Sequence, residues 1–266
     1  KNLCQGAKIQ GIFLEGPFFT EKYKGAQNSK YMSNPSMEKL KSWNDISGNL
    51  VNKIAIAPEF EGTTDFIKEA VDLGVYVALA HSDATYEQAK EAVKSGASIF
   101  VHTYNGMSPL HHRNPGMVGA SLPTDTFNEV ICDGHHVHPG AVEVILRAKS
   151  PDKTILITDC MMAGGMEDGD YKLGEFDVKV SNGTARLSSG SLAGSILSLS
   201  QAVKNVYEWG LVSKLEAIKM ASLIPARSVG LDDKIGSIAK GKYADINILD
   251  DNLNVLEVFI DGEKKF

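Results

Sequence analysis

The amino-acid sequence predicts an α/β fold, a TIM-like (β/α)8 barrel that here lacks its first two strands. Short segments rich in Ile and Val alternate with helical patterns from residue 9 to residue 159, as in parallel sheets with helical crossovers. Each apolar segment ends on a polar side chain. Barrels place their active sites at the carboxyl ends of the strands, whereas a doubly wound sheet uses one switch point. The pattern therefore favours the barrel.

Six strands are predicted before residue 160. By residue number they are 9–14, 53–57, 75–80, 98–101, 129–131 and 154–158. Each is short and continuously apolar, as strands buried on both faces are. The polar residues at their carboxyl ends are Glu15, Glu59, His81, His102, Asp133 with His136, and Asp159.

Capping residues predict the helices between these strands. Ser36 is a suitable N-cap for a helix over 37–43, and Thr85 for one that runs to residue 94, before Gly96. A helix over 65–73 is closed by a glycine at 74, and Pro139 fits the first position of a helix over 139–148.

The sequence after residue 159 predicts no further barrel strands. We expect a hairpin over 177–187 around Asn182-Gly183, helices over 195–209 and 214–222, and short strands over 244–249 and 255–260. This divides the chain into a barrel over 1–235, partial at its N-terminus, and the C-terminal part of a small β-sandwich domain over 236–266. The first two barrel strands are expected upstream of Lys1.

Composition excludes several kinds of partner. The chain of 266 residues has 27 basic and 33 acidic residues, a net charge of −6, which disfavours nucleic acid and anionic membranes. No apolar run approaches the ~20 residues of a membrane helix, and no signal peptide is recognisable. Cys4, Cys132 and Cys160 form no disulfide framework. We therefore expect a cytoplasmic protein.

Four strand-end residues form a candidate metal site. Glu15, His81 and His102 supply one carboxylate and two imidazoles, a set that can hold a catalytic divalent metal ion and leave a position for water. Such an ion lowers the pKa of bound water, and Asp159 could move the proton. Each residue alone would more often be structural, but four at equivalent strand ends favour a site. Glu59 and Asp83 are expected to hydrogen-bond to the ligands.

Several motifs carry a family resemblance that runs from the first strand to the C-terminus. They are LEGPFF, AHSDA, VHTYNGM, HRNPG, DGHHV, ITDCMMAGG and SLAGS. With these motifs the chain resembles the N-acetylglucosamine-6-phosphate deacetylases of the amidohydrolase superfamily. The resemblance implies hydrolysis of the acetamide of N-acetyl-D-glucosamine 6-phosphate, giving D-glucosamine 6-phosphate and acetate in amino-sugar catabolism.

The resemblance also implies roles for individual residues. Glu15, His81 and His102 match metal ligands, and Asp159 matches the catalytic aspartate, base to the water and then acid to the leaving amine. Arg113 matches an arginine that reaches the phosphate in the neighbouring subunit, which implies a homodimer. The implied substrate-binding residues are Ala26, Asn105, Gly106, Arg113, Asp133, Gly134, His135, His136, Leu192, Ala193 and Gly194.

The metal and the activity leave alternatives open. One or two ions are implied; zinc is the first expectation, and iron, manganese or cobalt also fit such ligands. Many family members have a His-x-His pair on the first barrel strand, and some have a histidine where this chain has Gln27. The alternatives to the deacetylase are another amidohydrolase, such as a deaminase or cyclic amidase, and a catalytically inert truncated or binding homologue.

Overall fold

A computed structural model describes residues 6–266; Cys4 lies outside the described residues. Its central element is a six-stranded parallel sheet in which the strands lie in chain order. The strands are β1 (Ile12–Glu15), β2 (Val51–Ile56), β3 (Tyr76–Leu79), β4 (Ile99–Phe100), β5 (Phe127–Ile131) and β6 (Thr154–Ile157).

Strand order confirms the predicted fold class. A doubly wound sheet reverses its order at a switch point, whereas here every strand pairs with its neighbours in sequence. Within residues 6–266, β1 and β6 are not paired with each other, so the sheet is an open part of a barrel. All strands point the same way, and their carboxyl ends therefore meet at one edge.

Helices cover the outer face of the sheet. They are α1 (Met37–Ile46), α2 (Thr63–Asp72), α3 (Tyr86–Lys94), α4 (Gly116–Ser121) and α5 (Pro139–Lys149), followed after the sheet by α6 (Leu199–Glu208), α7 (Lys214–Met220) and α8 (Leu223–Ser228). The predicted caps form: Ser36 accepts from the backbone of Lys39, and Thr85 makes a reciprocal capping box with Gln88.

The two faces of the sheet differ in polarity. On the outer face, Ile54, Ile56 and Leu79 are fully buried in the main apolar cluster. On the inner face, Lys53 pairs with Glu129 at 2.5 Å, with both side chains largely buried. This ion pair lies below the carboxyl edge and occupies what is the interior of a barrel.

Two antiparallel sheets complete the fold. The first joins β7 (Gly169–Leu173), β8 (Phe176–Ser181) and β9 (Thr184–Leu187); the second joins β10 (Ile246–Leu249), β11 (Val255–Ile260) and β12 (Glu263–Lys264). Asn182 and Gly183, at φ 50° and 77°, form the predicted turn between β8 and β9. The second sheet lies in the predicted small β domain, whose boundary at residue 236 stays a prediction.

Among residues 6–266 there is no helix with the length and apolar character required to cross a membrane.

Candidate active site

Three candidate residues share one position relative to their strands. His81, His102 and Asp159 each lie two residues beyond the last residue of β3, β4 and β6. All three have left-handed backbones, at φ 47°, 31° and 47°. This conformation is unfavourable for residues other than glycine, and such strain is found preferentially at functional sites. The repeated turn brings the three side chains to one edge of the sheet, beside Glu15 at the end of β1.

Glu15, His81 and His102 converge on one point. The Oε1 atom of Glu15 lies 3.2 Å from Nε2 of His81 and 3.1 Å from Nε2 of His102. The two Nε2 atoms are 3.2 Å apart. Of the described residues, these three form the group of His, Cys, Asp and Glu side chains with ligand atoms close enough to hold a metal ion. The predicted ligand set is therefore assembled in space.

Backbone carbonyls fix the tautomers of both imidazoles. Nδ1 of His81 lies 2.8 Å from the carbonyl oxygen of Tyr23, and Nδ1 of His102 lies 3.1 Å from that of Asn105. A carbonyl only accepts hydrogen bonds, so each Nδ1 carries the proton. The lone pair of each ring is then on Nε2 and faces Glu15. This is the arrangement that metal-binding histidines adopt.

A glycine makes the close packing around His81 possible. A Cβ atom on Gly106 would lie 2.8 Å from Nδ1 of His81 and 3.2 Å from the carbonyl oxygen of Tyr23. Any side chain at this position would therefore displace the hydrogen bond that orients the ring. Gly106, predicted as a substrate contact, therefore allows the orientation of the His81 ring.

The negative charge of Glu15 favours a cation in the site, either a metal ion or a proton on His102. Burial alone would raise the pKa of Glu15, but hydrogen bonds to His102 and His81 outweigh it and hold the pKa well below its usual range. Burial opposes protonation of His102, but its hydrogen bond to Glu15 and the negative charges of nearby carboxylates together outweigh burial and raise the pKa of His102. Glu15 therefore stays ionised and presents a negative oxygen between two nitrogen donors.

Asp159 and His136 face the same cavity as the three donors. The cavity has a volume of about 1020 Å³ and opens to solvent. Burial, and then the negative charge of Glu15, raise the pKa of Asp159 above the ordinary aspartate value. A carboxylate with a raised pKa is better suited to accept and release a proton during one reaction cycle.

Asp133 positions His136 rather than lining the cavity. Its Oδ2 atom lies 2.6 Å from Nδ1 of His136, and its Oδ1 atom accepts the backbone N–H groups of His135 and His136. Burial alone would raise the pKa of Asp133, but the hydrogen bonds from the side chain and backbone of His136 and from the backbone of His135 together outweigh burial and lower the pKa. The ring of His136 is therefore fixed from behind.

Most of the predicted substrate-binding residues line the cavity. Those that do are Ala26, Asn105, Gly106, His136, Leu192 and Gly194. Gly194 lies next to the backbone of Asp159, where a Cβ atom would come within 2.8 Å of the Asp159 carbonyl oxygen. The segment 191–195 is thus held against the strand end by backbone pairing between Cys160 and Ser195.

The other five predicted residues lie elsewhere. Asp133 is behind His136, Gly134 and His135 lie in an exposed turn, and Ala193 is fully buried beneath the cavity wall among Met161 and its neighbours. Arg113 is exposed on the surface, with its Nη1 atom 2.8 Å from Nε2 of His112. Within one chain, Arg113 does not reach the cavity.

Glu59 and Asp83 do not contact the ligand side chains, contrary to expectation. Tyr23 and Asn105 supply the carbonyl partners of both imidazoles. The carboxylate of Asp83 pairs with Lys22 in an exposed ion pair at 2.8 Å. Glu59 binds the segments that flank His81 and is considered separately below.

One part of the cavity mouth was not predicted from the sequence. Glu175, in the turn between β7 and β8, accepts from the hydroxyl of Tyr31 at 2.8 Å and the amide of Asn28 at 2.9 Å. All three residues line the cavity. Their contact joins segments more than 140 positions apart, which no local pattern could indicate.

Parallel strand ends that carry two imidazoles and two carboxylates in one cavity are typical of barrel hydrolases that bind a divalent metal ion. A family model described as "Amidohydrolase family" matches residues 3–265. The chain belongs to the amidohydrolase family.

Two similar proteins carry the names of deacetylases that act on phosphorylated amino sugars. A Vibrio furnissii protein named N-acetylglucosamine-6-phosphate deacetylase is 45% identical over 262 residues, covering 98% of this chain and 65% of that protein. An Escherichia coli O157:H7 protein named N-acetylgalactosamine-6-phosphate deacetylase is 43% identical, covering 97% of this chain and 68% of that protein. The chain thus spans about two thirds of the length of these relatives.

A solved structure supports the same comparison. It is a Mycobacterium smegmatis N-acetyl-D-glucosamine-6-phosphate deacetylase mutant in complex with N-acetyl-D-glucosamine-6-phosphate. It superposes with a TM-score of 0.91 at 33% identity, covering 96% of this chain and 68% of the other. The described fold is therefore close to that of a protein solved with this phosphorylated amino sugar.

Proposed function

We propose that this chain hydrolyses the acetamide of N-acetyl-D-glucosamine 6-phosphate to D-glucosamine 6-phosphate and acetate, in amino-sugar catabolism. The observation that carries the proposal is the convergence of Glu15, His81 and His102 on one point, with Asp159 in the same cavity. The relative from Vibrio furnissii, at 45% identity, supports this substrate.

Glu15, His81 and His102 would hold a divalent metal ion, for which we propose zinc. The donor set fits, because both Nε2 lone pairs and one carboxylate oxygen are free to face the ion. Iron, manganese and cobalt prefer overlapping ligands, and one or two ions per subunit are compatible with the proposal. A bound ion would lower the pKa of water and polarise the acetamide carbonyl.

Asp159 would move the proton in this reaction. As a carboxylate facing the cavity, it accepts a proton from the attacking water and then delivers it to the amine nitrogen as the C–N bond breaks. His136 would bind the sugar: its Nδ1–H is donated to Asp133, so the neutral ring offers Nε2 to a hydroxyl group. Asp159 would therefore transfer the proton, and His136 would orient the substrate.

A bound phosphate needs a cationic partner, and the described residues that line the cavity include none. Among the described lining residues there are three carboxylates, Glu15, Asp159 and Glu175, and no Lys or Arg. Asn105 and Gly106 can offer amide donors, but phosphate groups in proteins are usually met by Arg or Lys. We propose a homodimer in which Arg113 of a second copy reaches the phosphate. The exposure of Arg113 on the surface supports this arrangement.

The proposed function is tested by metal content and acetate release on the same preparations. We expect about one or two divalent ions per wild-type chain and release of acetate from N-acetyl-D-glucosamine 6-phosphate. His102→Gln should lose the metal and the activity, because it removes a ligand. His138→Asn changes an exposed histidine outside the cavity lining, keeps a suitable N-cap for α5, and is the matched control. A metal-loaded wild-type chain that releases no acetate would refute the deacetylase assignment.

The C4 epimer is a second candidate substrate. The relative from Escherichia coli O157:H7, named for N-acetylgalactosamine 6-phosphate, is nearly as similar to this chain as the first relative. Measured kcat/KM values for the two epimers decide between them. We expect the glucosamine epimer to be preferred; a higher value for the galactosamine epimer would reassign the substrate but keep the reaction.

We also propose a cytoplasmic location. Cys132 and Cys160 are both free thiols in the described structure, as is usual for proteins in reducing compartments. Fractionation of cells that express the protein is the direct check; recovery outside the cytoplasmic fraction would contradict the proposal.

A further inference from the structure

We infer that Glu59 is a positioning residue for His81 and thereby sets the affinity of the metal site. The inference rests on the proposed metal site. Glu59 follows β2 and touches neither the ligand atoms nor the cavity wall. It acts on the two chain segments whose relative position determines where the ring of His81 points.

The carboxylate of Glu59 accepts three hydrogen bonds. Oε1 accepts from Oγ1 of Thr20 at 2.5 Å and from the backbone N–H of Asp83 at 2.8 Å. Oε2 accepts from Oγ of Ser82 at 2.7 Å. All three partners are donors, so an ionised carboxylate satisfies each of them. Hydrogen bonds to charged acceptors are stronger than those between neutral groups.

These donors lie on both sides of the bond that orients His81. Ser82 and Asp83 directly follow His81, so Glu59 holds the backbone that carries the ring. Thr20 directly precedes the short helix Glu21–Tyr23, whose last residue provides the carbonyl oxygen 2.8 Å from Nδ1 of His81. Thr20 also donates its backbone N–H to the carbonyl of His81 at 3.0 Å. Glu59 thus fixes both partners of the orienting bond.

The strained backbone of His81 requires the hydrogen bonds that Glu59 accepts from the neighbouring segments. His81 has φ 47°, and a strained conformation persists only where surrounding contacts determine it. Without Glu59 the segment 81–83 can relax, and Nε2 then moves away from Glu15 and His102. Metal affinity should fall even though all three ligands remain.

A surface ion pair provides the matched control. Lys22 and Asp83 join the same two segments at 2.8 Å, but the Lys22 side chain is 63% exposed. Exposed ion pairs contribute little because water screens them. If Glu59 acts by positioning, Lys22→Met should leave metal affinity within about twofold of wild type.

The experiment measures metal dissociation constants by chelator competition, together with the melting temperature of the metal-free protein. We expect Glu59→Ala to weaken metal binding about 10–100-fold, as loss of an outer-shell partner does. Glu59→Gln should fall between wild type and Glu59→Ala, because its one carbonyl oxygen replaces two acceptors. Cobalt-loaded protein should show a changed absorption spectrum in Glu59→Ala alone, not in Lys22→Met.

Each outcome decides the inference. Unchanged metal affinity in Glu59→Ala, even with a lower melting temperature, would overturn it and leave Glu59 a purely structural residue. Should Glu59→Ala not fold, Thr20→Val removes one of the three donors, and unchanged affinity there would overturn the inference equally. If the wild-type chain binds no metal, the proposed metal site itself is overturned. If the wild-type chain binds metal and the Glu59 variants bind it equally well, only the inference about Glu59 is overturned.

Discussion

Two ends of one segment, residues 101–116, show how differently this chain holds its functional side chains. His102 is 3% exposed, and both ring nitrogens have partners within the chain, Asn105 and Glu15. Eleven positions later Arg113 is exposed, and its guanidinium contacts only the adjacent His112 among the described hydrogen bonds. One end is buried and fixed, whereas the other is presented on the surface.

We interpret this difference in exposure as a separation of the proposed catalysis at His102 from the proposed substrate recognition at Arg113. Metal ligands must hold their geometry before substrate arrives, so their tautomers and backbones are fixed by hydrogen bonds within the chain. A residue that serves a neighbouring subunit has to be exposed in the isolated chain. We therefore expect variants at the buried end to lose turnover, and variants at the exposed end to lose affinity for the phosphate.

The largest effect is expected for Asp159→Asn. An amide is isosteric but cannot accept the proton, and general acid–base groups contribute about 10²–10⁴-fold to rate. We predict a loss of kcat in this range with metal content unchanged, since Asp159 is not among the three converging donors. Steady-state kinetics and metal analysis check this. Turnover at the wild-type rate would remove Asp159 from the mechanism.

Arg113→Ala should sharpen the contrast at the other end of the segment. Loss of a charge-assisted hydrogen bond costs about 1.5–3 kcal/mol, so KM for the 6-phosphate should rise about 10–100-fold with kcat nearly unchanged. The non-phosphorylated sugar provides the control, because its KM should not change. An equal increase for both sugars would show that Arg113 does not recognise the phosphate.

Asp133→Asn should have a smaller effect, on the orientation of His136. The asparagine keeps the backbone contacts of Oδ1 but loses the charged partner of the ring. We predict a kcat/KM about tenfold lower, the lower limit for the loss of a group that orients a functional histidine. A second measurement, of the free energy of unfolding, tests the contact between Asp133 and His136 independently of catalysis.

Stability against pH gives that measurement. The pKa of Asp133 is lowered in the folded chain, so its ionised form contributes stability above its unfolded pKa of about 3.9, and this contribution is lost as the pH falls further. At pH 7 the free energy of unfolding of Asp133→Asn should be about 1–3 kcal/mol below wild type. The difference between the two proteins should shrink as the pH falls below about 4; a constant difference would exclude the ionised Asp133 carboxylate as its cause.

The sequence predicted the strands and the metal donors for the same reason. A short apolar strand that ends on a polar residue can be recognised from the local sequence alone. Parallel strands then bring all such polar residues to one edge of the sheet. Helix α4 was not predicted, because Gly116–Ser121 has no amphipathic pattern. The helix predicted from residue 195 begins at Leu199, because Ser195 pairs instead with Cys160, beyond the end of β6.

The rest of the site depended on contacts between distant segments. Glu175 meets Tyr31 only because β7 and β8 fold back over the cavity. The role of Asp133 had a local signal, since His136 is three residues away, but the resemblance placed it with the substrate contacts. The sequence thus predicted the residues that converge in the cavity more fully than the residues that position them.

The central claim is that Arg113 acts in the active site of the neighbouring subunit, and a subunit-mixing experiment tests this claim most directly. In a dimer of Arg113→Ala with Asp159→Asn, the site that keeps Asp159 receives Arg113 from its partner. Random pairing makes half of the dimers mixed, each with one complete site, so the mixture should recover about a quarter of wild-type activity at low substrate concentration. Activity equal to the mean of the two separate variants would contradict the claim that Arg113 acts across the subunit interface.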